Sequence, residues 1–383
     1  MHTTNDGVAG IYIHIPFCKK ACHYCNFHFS TSLHYVDRMQ QALLHELALQ
    51  KEYIGARSVR SIYFGGGTPS VLSAEQISSI LEQIRLNYTV VSDAEITLEA
   101  NPDDLDKEKL QSLFSAGINR LSIGVQSFND DILQWMNRSH SARQAERCIA
   151  DALDTGFKNI TADLIYGVPQ LDVATWQENI EKMVGLGVAH LSCYALTVEE
   201  KTALFHQIAR HQTPAPDDLL TEAHYMRLTE TMHTFGFEHY EISNFAKPGY
   251  RAVHNSAYWE GSVYLGIGPS AHSYNGVSRQ WNIAHNQKYM ESIEGDALPF
   301  IQETLTPTMQ LNEYIMTGLR TARGISLQEI ADRFGTAQSD TLLLHATKYV
   351  RSGMLVQDAI ELRIPEQHFL ISDALISSLF FEE

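Results

Sequence analysis

Cys18, Cys22 and Cys25 fall within a short stretch, in the spacing C-x3-C-x2-C. Thiolates this close in sequence can converge on one metal centre. A 4Fe–4S cluster usually takes one cysteine per iron, so three cysteines leave one iron open to an outside ligand. Structural zinc takes four protein ligands in a closed tetrahedron. His23 or His28 could supply the fourth, so counting alone leaves zinc open. Cys148 and Cys193 stand apart and read as small buried apolar residues.

Further residues could complete a site around an open iron. Gly65, Gly66 and Gly67 form a loop without side chains, where a ligand can approach the backbone. Arg138 can pair with a carboxylate bidentately. Glu99, Gln126 and Asp163 offer acceptors for an ammonium and two hydroxyls. One small molecule presents all these groups: S-adenosylmethionine, whose amino and carboxylate ends can chelate the iron. An electron from the cluster then cleaves the sulfonium C–S bond and releases a deoxyadenosyl radical. Taken singly, each residue has a plainer reading. A glycine triplet is often a tight turn, Arg138 suits a surface ion pair, and Glu99 before Asn-Pro could cap a helix. Asp163, inside an apolar strand, needs a partner.

The elements that must position these residues alternate. Short apolar runs at residues 10–15, 61–64, 94–99, 121–125, 160–165 and 190–196 read as strands. Amphipathic helical patterns separate them. One carries Val36, Met39, Leu43 and Leu47, and the next opens with a capping box at residues 73–76. A third ends at Gly117, a glycine of the kind that terminates helices. Six strand–helix repeats imply a parallel sheet with right-handed crossovers. Six are too few for a closed eight-unit barrel. The fold class is therefore α/β: a (β/α)6 partial TIM barrel with a small C-terminal winged-helix-like domain. Parallel barrels carry their sites at the C-terminal ends of the strands. The three cysteines, Gly65 to Gly67, Glu99, Gln126 and Asp163 lie at such an end or inside such a strand. Residues 1–200 are expected to form the barrel core. Residues 201–300 are expected to form a cap region completing the barrel, with 237–285 as irregular strands and loops. Residues 301–383 form the C-terminal module, with helices at 308–321, 326–334 and 338–352.

Bulk properties narrow the classes. The 383 residues carry a formal charge of −17 and no dense basic run, which disfavours nucleic acid as a partner. No apolar run is long enough for a membrane span. The first six residues have neither a basic nor an apolar signal region. Clustered thiolates call for a reducing compartment. The expected location is the cytoplasm.

The motifs Tyr12-Ile13-His14-Ile15-Pro16-Phe17-Cys18, the cysteine triad, Gly65-Gly66-Gly67-Thr68-Pro69, Glu99-Ala100-Asn101-Pro102, Ile123 to Phe128, Asn137-Arg138 and Asp163 to Gly167 resemble the radical-SAM coproporphyrinogen III dehydrogenase family. The resemblance covers nearly the whole chain. It implies a 4Fe–4S cluster on Cys18, Cys22 and Cys25, and an S-adenosylmethionine site lined by Tyr12, Tyr24, Gly66, Gly67, Thr68, Glu99, Gln126, Arg138, Asp163 and Ala195. The family has two branches. One oxidatively decarboxylates coproporphyrinogen III in porphyrin biosynthesis; the other is a haem chaperone that hands haem to acceptor proteins. The dehydrogenase branch has a further cysteine two residues after the third ligand, and here that position is Phe27. It also has a long N-terminal arm, whereas only residues 1–10 precede the first expected strand. His254 to Trp259 matches the H-N-x-x-Y-W motif of the chaperone branch. The resemblance therefore implies haem as cargo, with His254 as axial ligand, Tyr258 and Trp259 as an aromatic wall, and His272 as a weaker candidate. It also implies an electron donor to the cluster. Cluster and haem could each promote a homodimer.

Overall fold

The computed structural model describes residues 7–382; the first six residues, read above for a signal region, lie outside it. Six parallel strands succeed one another: β1 (Val8–Ile15), β2 (Ser58–Gly66), β3 (Val90–Ala100), β4 (Arg120–Gln126), β5 (Asn159–Tyr166) and β6 (His190–Ala195). Helices Val36–Leu49, Ala74–Asn87, Lys107–Ala116, Ala142–Thr155 and Val173–Gly185 connect them. Local chemistry sets several boundaries. Ser73 and Gln76 close a reciprocal capping box. Gly117 ends its helix in the left-handed region at φ 103°.

The sheet does not stop at six strands. Beyond residue 200 come β7 (Glu238–Glu241), β8 (Asn244–Ala246), β9 (Val263–Ile267), β10 (His272–Tyr274), β11 (Ser278–Asn282) and β12 (Phe300–Thr304). The order is β12-β11-β10-β9-β1-β2-β3-β4-β5-β6-β8-β7. β9 runs parallel to β1, while β8 runs antiparallel to β6. The expectation of irregular cap strands at 237–285 is corrected here: this region extends the barrel sheet at both edges. Its strands are too short to show periodicity, and they gain their order from the neighbours they pair with.

Alternation within the strands sorts side chains to two faces. Ile11, Ile13, Ile15, Ile62, Phe64, Leu98, Leu121, Ile123, Leu164 and Leu191 face the helices and are fully buried. Their strand neighbours are polar: Tyr12, His14, Ser61, Tyr63, Glu95, Thr97, Glu99, Arg120, Ser122, Thr161, Asp163, His190 and Ser192. These line the concave face, so the barrel has an apolar outer layer and a polar lumen.

The C-terminal module has helices Pro307–Leu319, Leu327–Phe334 and Thr336–Arg351. A three-stranded antiparallel sheet of Ile325–Ser326, Val356–Gln357 and Glu361–Arg363 packs with them. It docks on the β7–β8 edge, where the Ile242 amide donates to Arg320 O at 2.9 Å. Glu366 there accepts from His239 and His233, both at 2.7 Å. Among the described residues, no helix is long and apolar enough to cross a membrane.

Candidate metal centre and lumen site

The cysteine loop follows β1 directly and is pinned along its length. Phe17 forms a bridge with Ser30, and the Cys18 amide donates to Ser30 O at 3.0 Å. The His23 amide donates to Met136 O at 3.1 Å, and Asn137 Nδ2 donates to Ala21 O at 2.7 Å. Leu204, buried on helix Ala203–Ala209, ties its amide to His23 O at 2.8 Å. The thiols are thus held by β1, by the turn after the helix Asp130–Trp135, and by a helix laid over the mouth.

Thr68 and Arg138 both point donors at sulfur. The Thr68 hydroxyl donates to Cys18 Sγ at 3.3 Å, and Arg138 Nη1 donates to Cys22 Sγ at 3.4 Å. Burial, the first cause, pushes the Cys18 thiol up to about 11 and raises Cys25 as well; Thr68 pulls Cys18 the other way. Among the described residues, no three His, Cys, Asp or Glu side chains converge tightly enough for a single metal ion. His23 and His28, the candidates for a fourth zinc ligand, are engaged elsewhere: His23 Nδ1 with Trp135 O at 2.8 Å, and His28 Nε2 with Asn286 Oδ1 at 2.6 Å. Three separated thiols with donors directed at sulfur fit a cubane, which takes one thiolate per iron.

The glycine loop lies against the base of the cysteine loop. The Gly67 amide donates to Ile15 O at 2.9 Å, and the Thr68 amide donates to Phe17 O at 2.7 Å. A Cβ on Gly67 would stand 2.6 Å from Phe17 O, and one on Gly66 would stand 2.5 Å from the His14 ring. The space beside these two glycines is filled by the chain itself. The glycines serve first to bring Thr68 onto Cys18.

Arg138 is not a surface residue. Its Nη2 donates at 2.6 Å to both Asn101 Oδ1 and Gly124 O. Its Nε–H is buried and has no acceptor among the described residues. A braced, buried cation with an unpaired N–H suits a carboxylate partner, which reaches Nε–H only if the packing around it shifts. Glu99 Oε1 accepts from the Tyr63 hydroxyl at 2.7 Å. Asp163 accepts from Ser122 at 3.5 Å and also from Ser192. Burial pushes both carboxyls up to about 7. Gln126 ends β4 at φ 66°, after a register shift between Gly124 and Gln126. Held left-handed backbone in a residue other than glycine concentrates at functional sites. Tyr12 bonds His14 Nδ1 at 3.2 Å, and Tyr24 bonds Cys22. Ala195 closes β6 at the same rim, beside Leu196, whose amide donates to Tyr166 O at 2.8 Å. The structure therefore gathers Cys18, Cys22, Cys25, Thr68, Glu99, Gln126, Arg138 and Asp163 at one end of the lumen.

His254 is elsewhere. It lies on the helix Val253–Trp259, not in a loop, and is 2% exposed. Nδ1 bonds Ser61 Oγ at 2.8 Å and Nε2 bonds Tyr258 Oη at 3.2 Å. Ser61 pairs with Gly10 near the start of β1, so the motif closes the floor of the lumen, at the N-terminal ends of the strands. The Val253 and His254 amides donate to the two oxygens of Glu95 at 3.0 and 2.9 Å. Burial alone pushes the His254 imidazole down to about 3, so it is neutral. His272, the weaker candidate by sequence, is exposed on β10 and stacks on Trp281 at 5.9 Å. Of the two candidates, His272 is the more accessible.

Sequence reasoning did not single out Tyr63, Asn101, Ser122 or Ser192. Polar residues at every second position of otherwise apolar strands were the signal for Tyr63, Ser122 and Ser192.

Comparison with known proteins agrees with this architecture. Residues 12–183 match the radical SAM superfamily, and residues 305–370 match the HemN C-terminal domain. The fold matches coproporphyrinogen III oxidase (HemN) from Escherichia coli with a TM-score of 0.85 at 22% identity, covering 97% of this chain and 90% of that one. The heme chaperone HemW of Mycobacterium tuberculosis is 34% identical over 97% of this chain and 94% of its own length. The heme chaperone HemW of Bacillus subtilis is 36% identical over 85% and 86%. The chain belongs to the HemN/HemW family of radical-SAM proteins.

Proposed function

We propose that this chain is a haem chaperone-like protein that carries a 4Fe–4S cluster, S-adenosylmethionine and haem, and delivers haem to acceptor proteins in the cytoplasm. The full-length likeness to the Mycobacterium tuberculosis heme chaperone HemW carries the reading. Phe27 supports it, standing 67% exposed where the dehydrogenase branch places a cysteine.

Cys18, Cys22 and Cys25 would hold the cluster, with Thr68 and Arg138 donating to sulfur. When bound, cluster and S-adenosylmethionine supply one-electron cleavage of the sulfonium bond. The chain's own residues bind and orient. Arg138, braced by Asn101, has an unpaired Nε–H for the carboxylate. Glu99 takes the ammonium, and Asp163 and Gln126 take hydroxyls. Tyr12, Tyr24, Gly66, Gly67, Thr68 and Ala195 shape the walls. A bound ammonium would hold Glu99 ionised, offsetting the burial that raises it.

Haem ligation by His254 requires the helix Val253–Trp259 to leave the lumen floor, because both ring nitrogens are engaged. His272 needs no such movement. Anaerobic reconstitution followed by haem titration of the wild type, His254→Ala and His272→Ala separates these routes. Haem binding weakened by one substitution supports the reading, and absence of haem binding by the wild type overturns it. Turnover of coproporphyrinogen III to protoporphyrinogen IX would move the chain to the dehydrogenase branch.

A further inference from the structure

Glu99 does not hold its own orientation. The Tyr63 hydroxyl, one strand away on β2, donates to Oε1 at 2.7 Å. The Tyr63 ring is itself packed on two others. It stacks on His254 with centroids 5.0 Å apart and planes 23° apart, and on Tyr12 at 6.1 Å and 22°. The His254 ring is fixed in turn by Ser61 and Tyr258. The group is built around a missing side chain. A Cβ on Gly65 would lie 2.9 Å from the Tyr63 ring and 3.0 Å from both Glu99 Oε1 and the Tyr12 ring. Rings thus run without a break from the floor motif to the carboxylate at the mouth.

We propose that Tyr63 is a positioning residue for Glu99, and that the His254 ring stacked on Tyr63 sets the ammonium end of the S-adenosylmethionine pocket from the barrel floor. This rests on the pocket reading given above. The H-N-x-x-Y-W helix then acts on the ammonium end of the pocket whether or not its histidine ever meets iron. The effect is specific to the ammonium. Arg138, Asp163 and Gln126 have no hydrogen bond to Tyr63 among the described residues, so the carboxylate and ribose ends keep their partners.

Full-length reconstituted protein is titrated without oxygen with S-adenosylmethionine and, separately, with 5′-methylthioadenosine, which has the nucleoside but neither the ammonium nor the carboxylate. Tyr63→Phe keeps the ring and drops the hydroxyl. It is expected to weaken S-adenosylmethionine about tenfold, as loss of a hydrogen bond to a charged group does. Methylthioadenosine affinity and the iron and sulfide content stay unchanged. His254→Ala is expected to cost about threefold through lost stacking, and His254→Phe restores it. The Tyr63→Phe, His254→Ala double variant weakens binding no further than Tyr63→Phe alone. Unaltered S-adenosylmethionine affinity in Tyr63→Phe, or equal loss of both ligands, overturns the proposal. His254→Ala without effect on S-adenosylmethionine overturns the link from the floor. A wild type that carries the cluster but binds neither ligand overturns the pocket reading, and this inference falls with it.

Discussion

The two ends of one lumen are built from the same strands and differ in where their polar atoms point. At the floor, they point at each other. Glu95 accepts two amides of the helix Val253–Trp259, Arg120 donates to Thr161 at 2.6 Å, and His190 Nε2 bonds Tyr240 at 2.7 Å. At the mouth, partners are incomplete. Among the described residues, Arg138 Nε–H has no acceptor, and burial pushes Asp163 and Glu99 up to about 7 despite their hydroxyl partners. Buried polar groups normally find partners, so an end that leaves them unmatched marks where a ligand completes the structure. The exceptions at the floor, Thr97 Oγ1 and His190 Nδ1, are neutral groups.

The sharpest test of the mouth removes a thiol. Cys22→Ala is expected to abolish cluster assembly, read as loss of iron and sulfide after anaerobic reconstitution, while the fold persists by circular dichroism. Retention of a full cluster would mean that the thiols do not act as a set. The matching test of the floor is Glu95→Ala. It strips the cap from two amides and leaves Arg120, which sits 3.8 Å from Glu95 and is 2% exposed, without its counter-charge. Breaking a buried pair from one side costs about 3–5 kcal/mol. The urea midpoint should fall accordingly, with the cysteine loop still able to take up iron. A change below about 1 kcal/mol would show the floor to be dispensable.

Arg138→Lys probes the mouth more gently. Lysine keeps the charge but loses the planar fork that reaches Asn101, Gly124 and Cys22 together. S-adenosylmethionine affinity should fall about tenfold or more, corresponding to about 1.4 kcal/mol, with floor stability unchanged. Equal affinity in the lysine variant would remove Arg138 from the carboxylate end.

Much of this was legible in the chain. The six parallel strands and their helices follow from apolar runs and capping residues, because burial between two helix layers or against one is written in composition. The cysteine spacing needs no fold to be noticed. Three things were not legible. Strands of three or four residues at 238–246 and 272–274 carry no periodicity. Asn101 lies past a strand end, where nothing local says that its side chain turns back to Arg138. The H-N-x-x-Y-W spacing shows that its residues act together. It does not show that they face inward, since that depends on Glu95, distant in sequence, taking the helix N-terminus.

The remaining test is a pH dependence, and its sign separates the two ends. Glu99 and Asp163 titrate near 7 in the folded chain, above the ordinary carboxyl range near 4 in the unfolded one. Between those values the folded chain binds more protons than the unfolded chain, so these groups lower stability as pH rises from about 4 to about 7. Their cost is then fully present above 7 and relieved below it. The slope is on the order of 1 kcal/mol per pH unit for each group. Glu241, also pushed up to about 7 by burial, adds to it in the same direction. In the Glu99→Gln, Asp163→Asn double variant the change in stability from pH 5.5 to 7 should therefore be more positive than in wild type, measured by urea unfolding of cluster-free protein. S-adenosylmethionine should remove the Glu99 part of that slope, by supplying an ammonium to Glu99. His254 is neutral in the folded chain but takes a proton at about pH 6.5 when unfolded, so it adds an opposing rise of stability with pH, and His254→Phe should steepen the fall. Because His14 and His140, pushed down to about 4 by burial, also oppose the carboxylates, the difference between variant and wild type is decisive: identical slopes would mean that the mouth carboxylates are already matched within the chain.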